Sequence, residues 1–239
     1  MMRRLLVVGV VSLGLWIGCS DDDEPEDGTG GTGGSDTGGT GGGDTGGTGG
    51  GGTGGTGGGV GALLSNVESC TPPMAMLSPY PGENLQWAAA RLTPASYPVE
   101  VAKIVVDLNH GATNGAGAQC DASLSTKAMV FKGTEVTPTA SPASAQEVEV
   151  SIATPTSGDA SYTFDLTSPV TLQTGEHLFV ALQVREGGGK STCIAGCAYT
   201  SGGEDRNYWA VETTAPFAWT KLSAWDIKMN IGLKAQATP

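Results

Sequence analysis

An all-β body, an antiparallel β-sandwich with a jelly-roll-like path, is what this chain of 239 residues predicts. Three observations lead there. Apolar residues recur with a period of two rather than 3.6, so strands and not helices carry the core. Alternation of this kind marks antiparallel sheets with one face packed and one face wet. Eight or nine such segments, separated by Pro, Gly, Ser and Thr, are enough for a two-layer sandwich, with a closed barrel as the alternative architecture.

The segments can be taken in order. Residues 85–92 form a first candidate, and Ala102, Ile104, Val106 and Leu108 make an apolar row in the next. Residues 127–132 follow. "QEVEVSI" sets Val148, Val150 and Ile152 on one face against Glu147, Glu149 and Ser151. "SYTFDL" turns Tyr162, Phe164 and Leu166 inward, and 169–173 is a further candidate. "HLFVALQVRE" does the same with Leu178, Val180, Leu182 and Val184. After 207–213, "WDIKMNIGLK" aligns Trp225, Ile227, Met229, Ile231 and Leu233. The domain spans 61–239. Val60–Glu83, with four prolines, reads as irregular, so regular strands are expected from about residue 84.

The chain ahead of this body is of another kind. Arg3 and Arg4 precede an apolar run, Leu5 to Gly18, broken only by Ser12. A positive start and a short apolar core predict a secretory signal over 1–18, and the run falls short of the roughly 20 residues that a spanning helix needs. It closes on Ile17-Gly18-Cys19, which resembles the lipobox of bacterial lipoproteins. The resemblance implies that the Cys19 thiol takes the lipid and becomes the new N-terminus. Two or more acyl chains, at about 0.8 kcal/mol per buried methylene, give stable membrane anchoring. Ser20 after the cysteine is similar to the pattern of outer-membrane lipoproteins, so the expected location is the bacterial cell envelope.

From Cys19 to Val60 the chain predicts a tether. Six acids lie between Ser20 and Asp27, and residues 28–59 hold only Gly, Thr, Ser and Asp. Such a segment cannot bury an apolar core and is expected to be disordered. Its irregular T-G-G units lack the strict glycine period of collagen. About 41 Gly-rich residues span roughly 35 Å on average and about 140 Å when stretched.

Charge excludes one class of partner. The chain holds 24 acids and 12 bases. With the two leader arginines and eight tether acids set aside, the body keeps 16 acids and 10 bases, a net −6. No basic stripe marks a nucleic-acid binder.

Four cysteines remain after Cys19: Cys70, Cys120, Cys193 and Cys197. An even number in an exported domain predicts disulfides. Three connectivities are open, and the expected one joins Cys193 to Cys197 locally, eased by Gly196, and Cys70 to Cys120. A four-cysteine zinc site fits less well, because only one pair is closely spaced.

Catalytic signatures are weak. "REGGGKST" (185–192) ends like a phosphate loop, yet Val184 stands where the first glycine belongs, so a glycine-rich strand connection is expected. His110 and His177 sit at strand ends, and no Gly-x-Ser-x-Gly or His-Glu-x-x-His occurs. Asp121, Glu204, Asp205 and Asn207 offer oxygen atoms of the kind calcium takes, without a fixed calcium-loop spacing, so solvated loop charges are expected. No cofactor or metal is implied.

Aromatics direct the binding hypothesis. Trp87, Trp209 and Trp225 lie in apolar rows and are expected in the core. Trp219, in the loop "TTAPFAWTKLSAW", and Tyr208, opposite the Trp209 face, are the candidate ligand-binding residues. "WAAARLTPASYPVEVAKIVVDL" together with "WDIKMNIGLKA" resembles the opening and closing strands of jelly-roll accessory domains of secreted bacterial proteins, similar in style to carbohydrate-binding modules. This resemblance is one of style and implies no function by itself. Taken with the lipobox, the expectation is a membrane-anchored, surface or periplasmic lipoprotein displaying a non-catalytic binding or adhesion module, with carbohydrate or another envelope protein as the candidate partner. A structural envelope protein contacting another protein is the alternative, and a hydrolase of undefined type the second alternative.

Overall fold

The computed structural model describes residues 61–67, 74–79, 85–125, 127–198 and 206–239. The leader, Cys19, the tether, Cys70 and the Glu204–Asp205 pair lie outside these residues. Fifteen strands are formed among the described residues: β1 Leu63–Leu64, β2 Met74–Leu77, β3 Leu85–Leu92, β4 Val99–His110, β5 Gln119–Cys120, β6 Lys127–Gly133, β7 Gln146–Glu149, β8 Gly158–Leu172, β9 His177–Gly187, β10 Lys190–Ser191, β11 Cys193–Ala198, β12 Asn207–Ala210, β13 Thr220–Lys221, β14 Met229–Ile231 and β15 Leu233–Ala237.

They form two sheets. One runs β2-β11-β4-β8, with β15 on β4, β14 on β11 and β1 on β15. The other runs β7-β6-β9-β3-β12-β13, extended by β10 and β5. Successive strands change layer: β2, β4, β8 and β11 belong to the first sheet, and β3, the β6–β7 hairpin, β9 and β12 to the second. Non-consecutive strands therefore lie side by side in both layers, which is the double Greek key of a jelly roll. The described pairings are antiparallel, apart from the two-residue contact of β5 with β10.

The expected alternation builds the core. Val180, Leu182 and Val184 of β9 meet Ile104, Val106 and Leu108 of β4, all fully buried between the sheets. Each large apolar side chain taken out of water contributes about 1.5–3 kcal/mol, so this row helps to hold the layers together.

Two expectations require correction. Strands begin before residue 84: β1 pairs with β15 through Leu63↔Gln236 and Leu64↔Ala235, and β2 pairs with β11. These short strands have no long alternating pattern of their own and are recruited by sheet edges distant in sequence. The segment 225–234 is not one strand either. Leu222–Trp225 forms a 3-10 turn closed by Asp226 at φ 60, and half-buried Trp225 packs at the rim of the core.

The last strand is also interrupted, at Gly232. Its N–H donates to the Ala195 carbonyl of β11 at 2.8 Å, while its own carbonyl accepts from Asp107 N of β4 at 2.7 Å. The backbone is wedged between two strands at this point. A Cβ here would lie 2.5 Å from Asp107 Cβ, so glycine is required by close approach.

Candidate functional site

The outer face of the second sheet does not stay wet. Strand alternation points Phe131 of β6 and Phe179 of β9 away from the main core, and the two pair directly in the register. Their rings stack with centroids 5.2 Å apart and planes at 18°. With Trp87, Ala89, Ala181 and Tyr208 they form a second apolar cluster. Two loops cover it, residues 134–145 and 211–219.

Side-chain and backbone donors pin these loops. The Tyr208 hydroxyl and Arg91 Nη1 (3.0 Å) both donate to the Val136 carbonyl. The indole N–H of Trp219 donates to Thr139 O at 3.1 Å, Phe217 N to Ala140 O at 2.8 Å, and the Trp87 indole to Thr213 O at 3.3 Å. Phe217 lies edge-on to Trp87 at 5.8 Å and tilted against Trp219 at 5.2 Å.

Next to the stacked phenylalanines the 134–139 stretch encloses a pocket of about 430 Å³. Phe131 and Phe179 border it from beneath and are themselves buried. Lys132, Gly133, Thr134, Glu135, Thr137, Pro138 and Thr139 form its walls. Lys132 Nζ is committed elsewhere: it donates to Glu176 Oε2 and to the Thr171 carbonyl, both at 2.9 Å. Glu176 is held below the usual carboxylate range by the Gln173 backbone N–H and then by Lys132.

The two aromatic candidates from the sequence are brought to this face, in different roles. Tyr208 is fully buried, which corrects the expectation of an exposed platform. It faces away from Trp209 as expected, but the covering loops seal it and its hydroxyl serves to hold Val136. Trp219 is half-buried and clasps the same loop. The sequence missed Phe131, Phe179, Gly133 and Glu135. The available signal was two phenylalanines on the polar phase of strands β6 and β9, followed by a Thr/Pro-rich loop long enough to cover them.

The other titratable candidates are structural. Asp121 is buried and accepts from Lys190 Nζ at 2.7 Å, Ser123 N at 3.0 Å and Ser123 Oγ at 2.6 Å. Burial raises its pKa, but Lys190 and Ser123 outweigh that and bring it down to about 2. His110 Nδ1 approaches the same carboxylate at 3.4 Å. His177 hydrogen-bonds Thr93 Oγ1 at 2.9 Å, and burial, followed by the charges of Arg91 and Arg206, lowers its pKa. Asn207 is a buried tie between the sheets. Its Nδ2 donates to Met229 O, and its Oδ1 accepts from Ile231 N. No group of three His, Cys, Asp or Glu side chains is arranged to hold a metal among the described residues. The 185–192 stretch is the expected strand connection, turning at Gly188 and Gly189 with positive φ.

The disulfide pairing differs from the expectation. Cys120 bonds Cys193 across 73 residues, with Cα atoms 5.4 Å apart. Cys193 and Cys197 share strand β11. Four residues of strand separate Cα atoms by about 13 Å, beyond the reach of a disulfide. Cys120 cannot pair with Cys70, because its sulfur is already used. It reaches Cys193 because β5 lies beside β10, with Cys120 opposite Ser191. Cys197 is also disulfide-bonded.

The fold and face define a jelly-roll sandwich with a loop-covered aromatic cluster on its second sheet. No family model matches the chain, and no curated protein matches it. Among solved structures it is similar to the cysteine protease and lectin-like domains of Cwp84, a surface layer associated protein of Clostridium difficile, at 11% identity and a TM-score of 0.43. The match covers 69% of this chain and spans 33% of that one. No helix among the described residues is long and apolar enough to cross a membrane.

Proposed function

We propose that the chain is a lipid-anchored protein of the bacterial envelope whose sandwich acts as a non-catalytic binding or adhesion module. The leader, Ile17-Gly18-Cys19 and the Gly/Thr tether support the anchored part. One observation carries the binding part. The chain enters the body at β1, on the edge of the first sheet, whereas the aromatic cluster and its pocket lie on the outer face of the second. The attachment side and the candidate binding face thus belong to opposite layers, and a membrane-bound body keeps that face free to meet a partner.

The test uses the chain from Ser20 onward, fluorescently labelled and mixed with isolated cell envelopes. Saturable co-sedimentation is expected. A chain that stays in the supernatant at every concentration rules the adhesion reading out. Binding abolished by protease treatment of the envelopes points to the alternative, contact with another envelope protein.

A further inference from the structure

We infer that the outer edge of β8, over residues 159–165, takes up an extended segment of another protein as an added strand, one in which basic and apolar residues alternate. The backbone shows which groups are free. β8 pairs with β4 and with no other strand among the described residues. Asp107 N of β4 donates to Gly232, on the β15 side. Successive residues of a strand turn their N–H and C=O to opposite edges. Ile104, Val106 and Leu108 therefore turn theirs to β8, where they lie opposite Phe164, Tyr162 and Ala160. By the same alternation Asp159, Ser161, Thr163 and Asp165 turn their N–H and C=O outward. None of these outward groups has a partner among the described residues.

The next stretch of the same edge shows what fits there. The Gln146 side-chain amide lies against Ser168: its Nε2 donates to the Ser168 carbonyl at 2.8 Å, and its Oε1 accepts from Ser168 N at 3.2 Å. One bond given and one received is what a residue of an added strand would make. Pro169 follows, and a proline within a sheet belongs on an edge strand because it has no N–H to give. Gly158, at φ 84, closes the other end. The open stretch between them extends about 23 Å.

Charge and polarity select the occupant. β8 carries Asp159 and Asp165 on its exposed phase and no base. Asp159 accepts Asn109 Nδ2 through Oδ1 alone, and Asp165 stays 80% exposed beside Lys103, so both have room for a further cation. Residues of an added strand opposite these carboxylates are favoured as Lys or Arg. Tyr162 and Phe164, on the other phase, are half-buried, and the alternate side chains of the added strand would shelter them if apolar. A second copy fits poorly. The antiparallel register that uses the whole stretch sets Asp159 of one chain opposite Asp165 of the other, a like-charge pairing. The tether does not fit either. Residues 20–59 hold no base and no Val, Ile, Leu, Met or aromatic residue, and the chain enters the body at β1, on the far edge of the same sheet.

The experiment titrates the chain from Ser20 onward into a fluorescent peptide of the same length as the open stretch, alternating Lys and Val, with anisotropy as the readout at physiological ionic strength. Saturable binding is expected. A Glu–Val peptide should not bind, and neither should a Lys–Val peptide methylated on the backbone nitrogens of its lysines, which keeps the charge and removes the donors. Thr163→Pro takes away one outward N–H, spares the bonds to β4, and should weaken binding about tenfold or more with an unchanged far-ultraviolet spectrum. The methylated probe needs no change to the chain, so the test stands even if the variant misfolds. If the methylated peptide binds as well as the plain one, or folded Thr163→Pro binds like wild type, the contact is not strand addition at β8 and the inference fails. It fails equally if the Lys–Val peptide does not bind. A wild-type dimer that Thr163→Pro dissociates would make a second copy the occupant and overturn the basic partner.

Discussion

Asn207 on the second sheet donates its Nδ2 to the carbonyl of Met229 on the first, at 3.1 Å. The same side chain receives Ile231 N through its Oδ1 and donates to Asn230 Oδ1 at 2.9 Å. One buried amide thereby satisfies backbone groups of the opposite layer where β14 leaves the turn. Asn207→Ala should cost about 2–4 kcal/mol, since each stranded buried group loses about 1–3 kcal/mol. Urea denaturation of the variant checks this, and a change below half a kilocalorie would show that the sheets are joined by apolar packing alone.

Asp121 gives the fold an acid limit. Its pKa is lowered from the ordinary 3.8 to about 2 in the folded protein. A lowered carboxylate pKa means stability that is fully present above the unfolded value and lost as pH falls through the folded one. The full shift corresponds to about 2 kcal/mol. Lys190 is half-exposed and screening reduces its share, so about 1–2 kcal/mol is expected. Thermal melts should lose this increment between about pH 4 and pH 2. Asp121→Asn should flatten that part of the profile, and an identical profile in the variant assigns the acid sensitivity elsewhere.

The Cys120–Cys193 bond closes a long loop. In the chain-entropy model a loop of this length contributes about 4 kcal/mol. Peptide mapping without reduction should recover the 120–193 cross-link, and Cys193→Ala should lower the melting temperature markedly. Recovery of a 193–197 peptide instead would restore the local pairing that the spacing suggests.

The proposed lipid anchor predicts a requirement for Cys19. Cys19→Ala should move the protein from the membrane fraction to the soluble fraction, or leave the leader uncleaved. A processed variant that still sediments with membranes would show another mode of attachment.

The main core was legible because its residues obey one rule. Val180, Leu182 and Val184 alternate, and all three are buried. The same rule hid the second aromatic cluster. Alternation assigns Phe131, Phe179 and Tyr208 to water, and only the 134–145 and 211–219 loops reverse this by folding over the sheet. Those loops carry no periodic signal, so their position follows from tertiary contacts alone. The disulfide was illegible for a similar reason: it depends on β5 meeting β10, a pairing of two residues with some 70 residues between them. Trp219 could be singled out because it lies in a loop, whereas its clasp on Thr139 could not be foreseen.

The β1–β15 pairing also has a mechanical meaning. A pull on the N-terminal side of the body meets β1 first, and β1 is joined to β15 by two residue pairs, helped by the bond from Ala237 N to Ala62 O at 2.9 Å. β4 and β8, by contrast, share a register of eleven pairs. Under tension β1 therefore peels away while the interior strands keep their register. Each freed residue lengthens the lead by about 3.5 Å, so the first response to a tug is slack at the edge of one sheet, with the pocket on the opposite layer left undisturbed.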